Sequence, residues 1–144
     1  MNYKNILKNN KGLSLIEIMV AFTILSVVFI GLIQAFPFGL AITKEAESST
    51  VASYLAQDKI EELISVDYQD IGVGVIEAKH RLSVDISDNL YYYQRQTESN
   101  YVDGNLNIVQ SDYGIKKVVV TVFFVNSVSK KEKSYSIATL ISEK

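Results

Sequence analysis

Lys11-Gly12-Leu13-Ser14-Leu15-Ile16-Glu17-Ile18-Met19-Val20-Ala21-Phe22 opens an apolar run that carries one charge, Glu17, and no further charge follows until Lys44. The run is long enough to cross a bilayer. A carboxylate within such a stretch costs several kcal/mol or more, and is by default a functional feature whose partner must be found. The segment therefore reads as an assembly device, because a plain anchor has no use for Glu17.

The position of Gly12 supports that reading. An ordinary secretory signal runs from basic residues through an apolar core to a small-residue cleavage site, so the apolar part is discarded. Here the Gly follows Lys4, Lys8 and Lys11 but precedes the apolar part. Cleavage at Gly12 removes the positive charges and keeps the membrane segment. The alternative is an uncleaved single-pass anchor whose three lysines stay in the cytoplasm.

The string KGLSLIEIMVAFTIL at residues 11–25 resembles the N-terminal signal of type IV prepilins and type II secretion pseudopilins. The resemblance implies a cut between Gly12 and Leu13 by a membrane prepilin peptidase, N-methylation of the new Leu13 amine by the same enzyme, and Glu17 as the acidic fifth residue of the mature chain. Most relatives begin with Phe, so Leu13 is a departure at the methylated position. Residues 51–63 hold a looser pattern, A-x-x-L-A-Q-x-K-x-E-x-L from Ala52 to Leu63. It resembles the segment that ends the long helix in minor pilin V and pseudopilin I proteins, and helical periodicity alone produces half of it. It shifts the reading toward a minor subunit.

Length and charge fit one small exported domain on a helix. The 144 residues are 48% hydrophobic and hold no cysteine, which excludes a disulfide and a thiolate metal site. Formal net charge is -2; without residues 1–12, which carry three basic and no acidic residues, 11 basic face 16 acidic ones and the net charge is -5. That balance argues against a nucleic-acid partner. Many pilins of double-membraned bacteria close a C-terminal loop with a disulfide, so the resemblance implies a head held by sheet packing alone.

The pattern divides the chain into a leader at 1–12, a membrane or filament-core helix at 13–43, an amphipathic helical half at 44–66 and a head at 67–144. Ala52, Leu55, Ala56, Ile60, Leu63 and Ile64 recur at spacings of three and four and predict one buried helix face. Pro37, between Gly31 and Gly39, predicts a kink or local loss of helix, since it deprives the Ile33 carbonyl of its donor. Pro and Gly are also simply commoner in membrane helices. Past residue 66 the period becomes that of strands: 80–86, 91–97, 115–125 and 134–141. The expected architecture is α+β, a long N-terminal helix packed on a four-stranded antiparallel sheet, like that of a type IV pilin. Residues 67–74 are expected as the connecting loop, Asp103-Gly104-Asn105 as a tight turn, and 126–133 as a hairpin connection.

Sites for chemistry are sparse. Asp103, Asn105 and Asn107 have the alternate spacing of a calcium loop, but Ile108 stands where an EF-hand needs Gly and Gly114 where it needs Glu. Some pseudopilins do bind calcium in a C-terminal loop; here no metal and no cofactor is expected. His80, the single histidine, reads as a strand or surface residue. Tyr91-Tyr92-Tyr93 with Arg95 has the composition of a base-stacking platform, or of a strand whose rings cover the helix and a subunit boundary. Lys116-Lys117 and Lys130-Lys131-x-Lys133 read as solubilising strand-end charges. No nucleophile and base pair, carboxylate cleft or phosphate loop is legible, which argues against an enzyme.

The family resemblance supplies the remaining expectations. The partners it implies are the prepilin peptidase, other pilin or pseudopilin subunits, an inner-membrane assembly platform and the cytoplasmic membrane. The protein would begin as a single-pass protein of that membrane with its head outside, then join a cell-surface or periplasmic filament. In such a filament the Leu13 amine would meet Glu17 of a neighbour. The filament is a pilus, or that of a secretion or DNA-uptake system; a non-assembling, membrane-anchored binding domain is the third alternative.

Overall fold

The computed structural model describes residues 12–125 and 130–143, so the leader expected at 1–12 lies, except for Gly12, outside the described residues, as do residues 126–129 of the last connection. One helix, α1 (Leu15–Ile64), is followed by strands β1 (Gly74–Arg81), β2 (Tyr93–Tyr101), β3 (Ile115–Val125) and β4 (Glu132–Ser142). The strands form one antiparallel sheet in the order β1-β2-β3-β4. The fold is the expected α+β, pilin-like one. The chain divides into two compact units, residues 1–40 and 41–144.

In the first unit α1 stands without a core. No residue of its most apolar window is buried, and Leu15, Phe22, Leu25, Phe29, Leu32 and Phe36 are all exposed. Its hydroxyls are satisfied within the helix: Thr23 donates to the Met19 carbonyl and Ser26 to that of Phe22, both at 2.8 Å. Such back-bonding lets a polar side chain sit in an apolar medium without a lost hydrogen bond. Helical backbone is continuous through Pro37, so the expected loss of helix there does not occur.

In the second unit the amphipathic half of α1 covers one sheet face. Ala52 and Ala56 are fully buried and Ile60 and Leu63 nearly so, packed with Val118, Val120, Val122, Phe124 and Tyr93. Small alanines let the helix backbone approach the strands. Full burial of each valine is worth about 1.5–3 kcal/mol relative to exposure. Ile64, expected on this face, is exposed instead, because the helix ends there and the chain turns into a 3-10 turn at Tyr68–Asp70.

The strands match expectation unevenly. β3 has the expected bounds, and β2 and β4 lie within a few residues of theirs. β1 does not: the strand expected at 80–86 is found at Gly74–Arg81, and residues 82–88 form a loop. Its pairing with β2 shifts register between Val75 and Glu77 and again between Glu77 and His80. Those bulges, with Glu77, Lys79, His80 and Arg81, blunt an edge that would otherwise invite pairing. By contrast, β3 and β4 pair without a shift from Ile115↔Ser142 to Val125↔Glu132.

Candidate functional site

The N-terminal site begins with the helix start. The Ser14 carbonyl accepts from the backbone N–H groups of Glu17, at 3.0 Å, and Ile18, at 3.2 Å, which closes the first turn. Gly12, Leu13 and Ser14 precede the helix, and Leu13 is exposed. The Gly12–Leu13 bond thus lies in non-helical, accessible backbone, the kind of chain a peptidase can take up. Glu17 falls in the first turn of α1, where a carboxylate is favoured by the positive end of the helix dipole. Its side chain is exposed and has no hydrogen-bonding or ionic partner among the described residues. Leu13, Glu17, Ile18, Ala21, Phe22 and Leu25 line one shallow concavity, so Leu13, expected to follow the cut, and the carboxylate share a face.

The other sequence candidates are engaged within the head. Asp103 caps its own turn, its Oδ1 accepting from the backbone N–H groups of Asn105 and Asn107 at 2.9 Å and its Oδ2 from the Asn107 side chain at 3.1 Å. These bonds hold its carboxyl below the usual value. His80 lies on β1, exposed, with Nδ1 3.0 Å from the Ala78 carbonyl and Nε2 3.4 Å from Glu77.

The tyrosine platform is not assembled. Tyr91 and Tyr92 sit in a 3-10 turn (Asn89–Tyr92) started by the Asp88 side chain, which accepts from the Leu90 N–H, and not in the strand expected from residue 91. Tyr93 is buried in the core. Arg95 is held by Glu77 through three bonds of 3.0–3.3 Å, and Thr97 donates to the same carboxylate at 2.7 Å. Burial alone would raise the Glu77 carboxyl; the bonds from Arg95 and Thr97 and the charges of Arg95 and Lys59 outweigh it and hold it below its usual value.

Lys116 corrects the expectation of a strand-end surface charge. It is buried, and its Nζ donates to the carbonyls of Tyr68, at 2.8 Å, and Ile71, at 2.7 Å, with the Tyr68 ring 4.1 Å away. Tyr68 in turn donates to Asp112 Oδ1 at 2.5 Å, which also accepts from the Gly114 N–H at 2.7 Å. Lys116 therefore ties the segment after α1 to β3, and Tyr68 ties it to the β2–β3 connection.

Among the described residues, the sequence candidate left exposed and without an internal partner is thus the N-terminal one. A family model for the prokaryotic N-terminal methylation motif matches residues 7–33. That match supports a type IV prepilin-like family. The motif implies processing by prepilin peptidase and assembly with other pilin subunits. Neither the curated proteins nor the solved structures yield a match to the chain.

Proposed function

We propose that this prepilin-like chain is a non-enzymatic filament subunit, a minor pilin or pseudopilin, cut between Gly12 and Leu13, methylated on the Leu13 amine, and assembled through α1. The observation that carries the reading is Glu17, a carboxylate without a partner among the described residues, at the start of an apolar, uncovered helix. Cleavage creates a cationic amine four residues before it. In a filament, the amine of one subunit meets the Glu17 carboxylate of its neighbour, and each charge relieves the other. The alanine, leucine and glutamine pattern at residues 52–63 supports a minor subunit over a bulk one.

Intact-mass and N-terminal analysis of the protein, from cells with and without prepilin peptidase, tests the processing step. Peptidase-dependent loss of residues 1–12 with a methyl group on Leu13 is expected. A full-length chain in both strains refutes it and leaves a membrane-anchored surface domain. Glu17→Ala should leave cleavage intact and reduce incorporation into filaments, since removing one partner of a buried pair costs about 3–5 kcal/mol. Normal incorporation of that variant refutes the pairing.

A further inference from the structure

The two edges of the sheet differ. β1 is bulged and charged, whereas β4 runs from Glu132 to Ser142 without a register shift, a proline or, from Ser134 on, a charge. The Glu143 N–H donates to the Gly114 carbonyl at 2.9 Å, one step beyond the Ile115↔Ser142 pair. Antiparallel pairing alternates, so the odd-numbered residues of β4 turn their backbone groups to β3. Ser134, Ser136, Ala138, Leu140 and Ser142 therefore each turn an N–H and a carbonyl to the open side, where no described residue bonds them. Their side chains are exposed. Such a row is a template for a further strand.

A seam runs beside this edge, between β4 and the amphipathic half of α1. Ser49, Thr50, Ser53, Tyr54 and Gln57 of the helix border it with Tyr135 of the strand, so hydroxyls, an amide and two phenol rings line it without a charge. Farther along, past the end of α1 at Ile64, Ser142 and Glu143 border a second depression with Asp67 and Asp70. No basic residue lines that depression, and no ion pair reaches its three carboxylates among the described residues. Glu143 accepts from the Gln69 side chain at 3.3 Å. At the opposite end of β4, Lys133 is already paired with Glu45. The seam is thus neutral along its length and acidic where β4 ends.

We propose that the β4 edge takes up an unfolded segment of a partner polypeptide as a fifth, antiparallel strand. The segment's backbone bonds the open N–H and carbonyl groups, and its inward side chains, uncharged, lie in the seam against Ser53, Gln57 and the rings of Tyr54 and Tyr135. A lysine or arginine near its N-terminal end meets Asp67, Asp70 and Glu143. Direction follows from the pairing: an antiparallel segment begins where β4 ends, at the acidic depression. Strand addition of this kind takes its affinity from main-chain bonds and its selectivity from alternate side chains. A second copy of β4 fits less well, because its inward row, Tyr135, Ile137 and Ile141, is already packed on its own core. A segment without a fold of its own brings an inward row that is still uncommitted. The inference concerns the head alone and rests on neither cleavage nor filament assembly.

The probes are synthetic peptides of alternating threonine and valine, capped at both ends and long enough to pair from Ser134 to Ser142. One carries two lysines at its N-terminal end and one carries them at its C-terminal end. A third repeats the first with methyl groups on the alternate amides that would face β4. Each is titrated into the full-length protein in micelles, and amide hydrogen exchange is read residue by residue by nuclear magnetic resonance. The first peptide should slow exchange several-fold at Ser136, Ala138 and Leu140, and leave Ile137 and Thr139, already bonded to β3, unchanged. It should bind several-fold more tightly than the second, and the methylated peptide should not bind. Ala138→Pro removes one outward N–H that bonds nothing within the head, a place where an edge strand tolerates proline, and should abolish the protection. The methylated peptide makes the same test on the unaltered protein. Absence of binding overturns the proposal, as does binding without slowed exchange at the three amides. Equal affinity for the two lysine placements overturns the assigned direction. Protection of the three amides that grows with protein concentration and needs no peptide shows a second copy on the edge, and also overturns the proposal.

Discussion

Lys116→Met should unfold the head far more readily than any surface substitution. Methionine replaces the aliphatic stem at nearly the same volume but removes Nζ, now 2.8 and 2.7 Å from the carbonyls of Tyr68 and Ile71; the Tyr68 carbonyl keeps the Ile71 N–H at 3.4 Å, and the Ile71 carbonyl loses its donor. An orphaned buried acceptor costs about 1–3 kcal/mol, and loss of the cation from the Tyr68 ring adds about 0.5–2 kcal/mol. Against this, the variant no longer has to desolvate an ammonium, which offsets part of the loss. The expected net destabilisation is about 2–4 kcal/mol. At about 4–8 °C per kcal/mol for a domain of this size, the melting temperature falls by about 8 °C or more. Nine tyrosines and no tryptophan make near-ultraviolet circular dichroism of the full-length protein in micelles a direct report on head packing. Lys117→Met, on the opposite sheet face, should stay within about 0.5 kcal/mol. If Lys116→Met melts with the parent, water satisfies the Ile71 carbonyl and the lysine clamps nothing.

Glu77→Gln should cost about 1–3 kcal/mol near neutral pH by weakening the bonds from Arg95 and Thr97. Because the folded carboxyl lies below its usual 4.5, its contribution is present above that value and is lost as pH falls through the folded one. The stability gap between parent and variant should therefore close under acid, as read by urea titrations at successive pH values; a constant gap refutes the ionic account. Burial first, and then the bond to Asp112, push the Tyr68 phenol above its usual 10.0, so this tyrosine favours the folded state below pH 10 and that contribution fades as the phenol would ionise above it. An ultraviolet alkaline titration should lose its highest-pH component in Tyr68→Phe. Ala56→Leu should destabilise the head by about 1–3 kcal/mol in thermal melts, because a fully buried alanine against Val120 and Val122 leaves no room for three more carbons.

What the sequence revealed depended on whether one face of an element is wholly buried. β3 was legible to the residue because Val118, Val120, Val122 and Phe124 alternate without interruption in the middle of the sheet. The same parity places Lys116 on the core face. That signal was in the sequence, and the adjacent Lys117 hid it by making the pair look like a charged strand end. β1 was misplaced because two bulges break its alternation, while the regular Leu82, Val84, Ile86 series belongs to a loop with Val84 and Ile86 exposed. Asp88, the cap of a 3-10 turn, was the available sign that Tyr91 and Tyr92 precede the strand. At the N-terminal site the motif was legible because its residues are local, one glycine before the apolar run and one carboxylate on the first helical turn, and the family model matches over the same stretch.

The energetics of the proposed assembly follow from where Leu13 and Glu17 lie. They share one face of a shallow concavity at the start of α1. In the proposed filament, the amine of a freshly cut subunit exchanges its surroundings at the membrane for the carboxylate of a neighbour. The exchange contributes little net free energy but selects one axial position, so the pair sets register. Between helices within lipid there is no hydrophobic gain either, because acyl chains are as apolar as leucine. The balance changes once α1 leaves the bilayer. Each uncovered leucine, isoleucine or phenylalanine then costs about 1.5–3 kcal/mol in water, and only neighbouring helices can cover it. Extraction and helix burial must on this account be a single coupled step, with Glu17 deciding where the incoming helix stops.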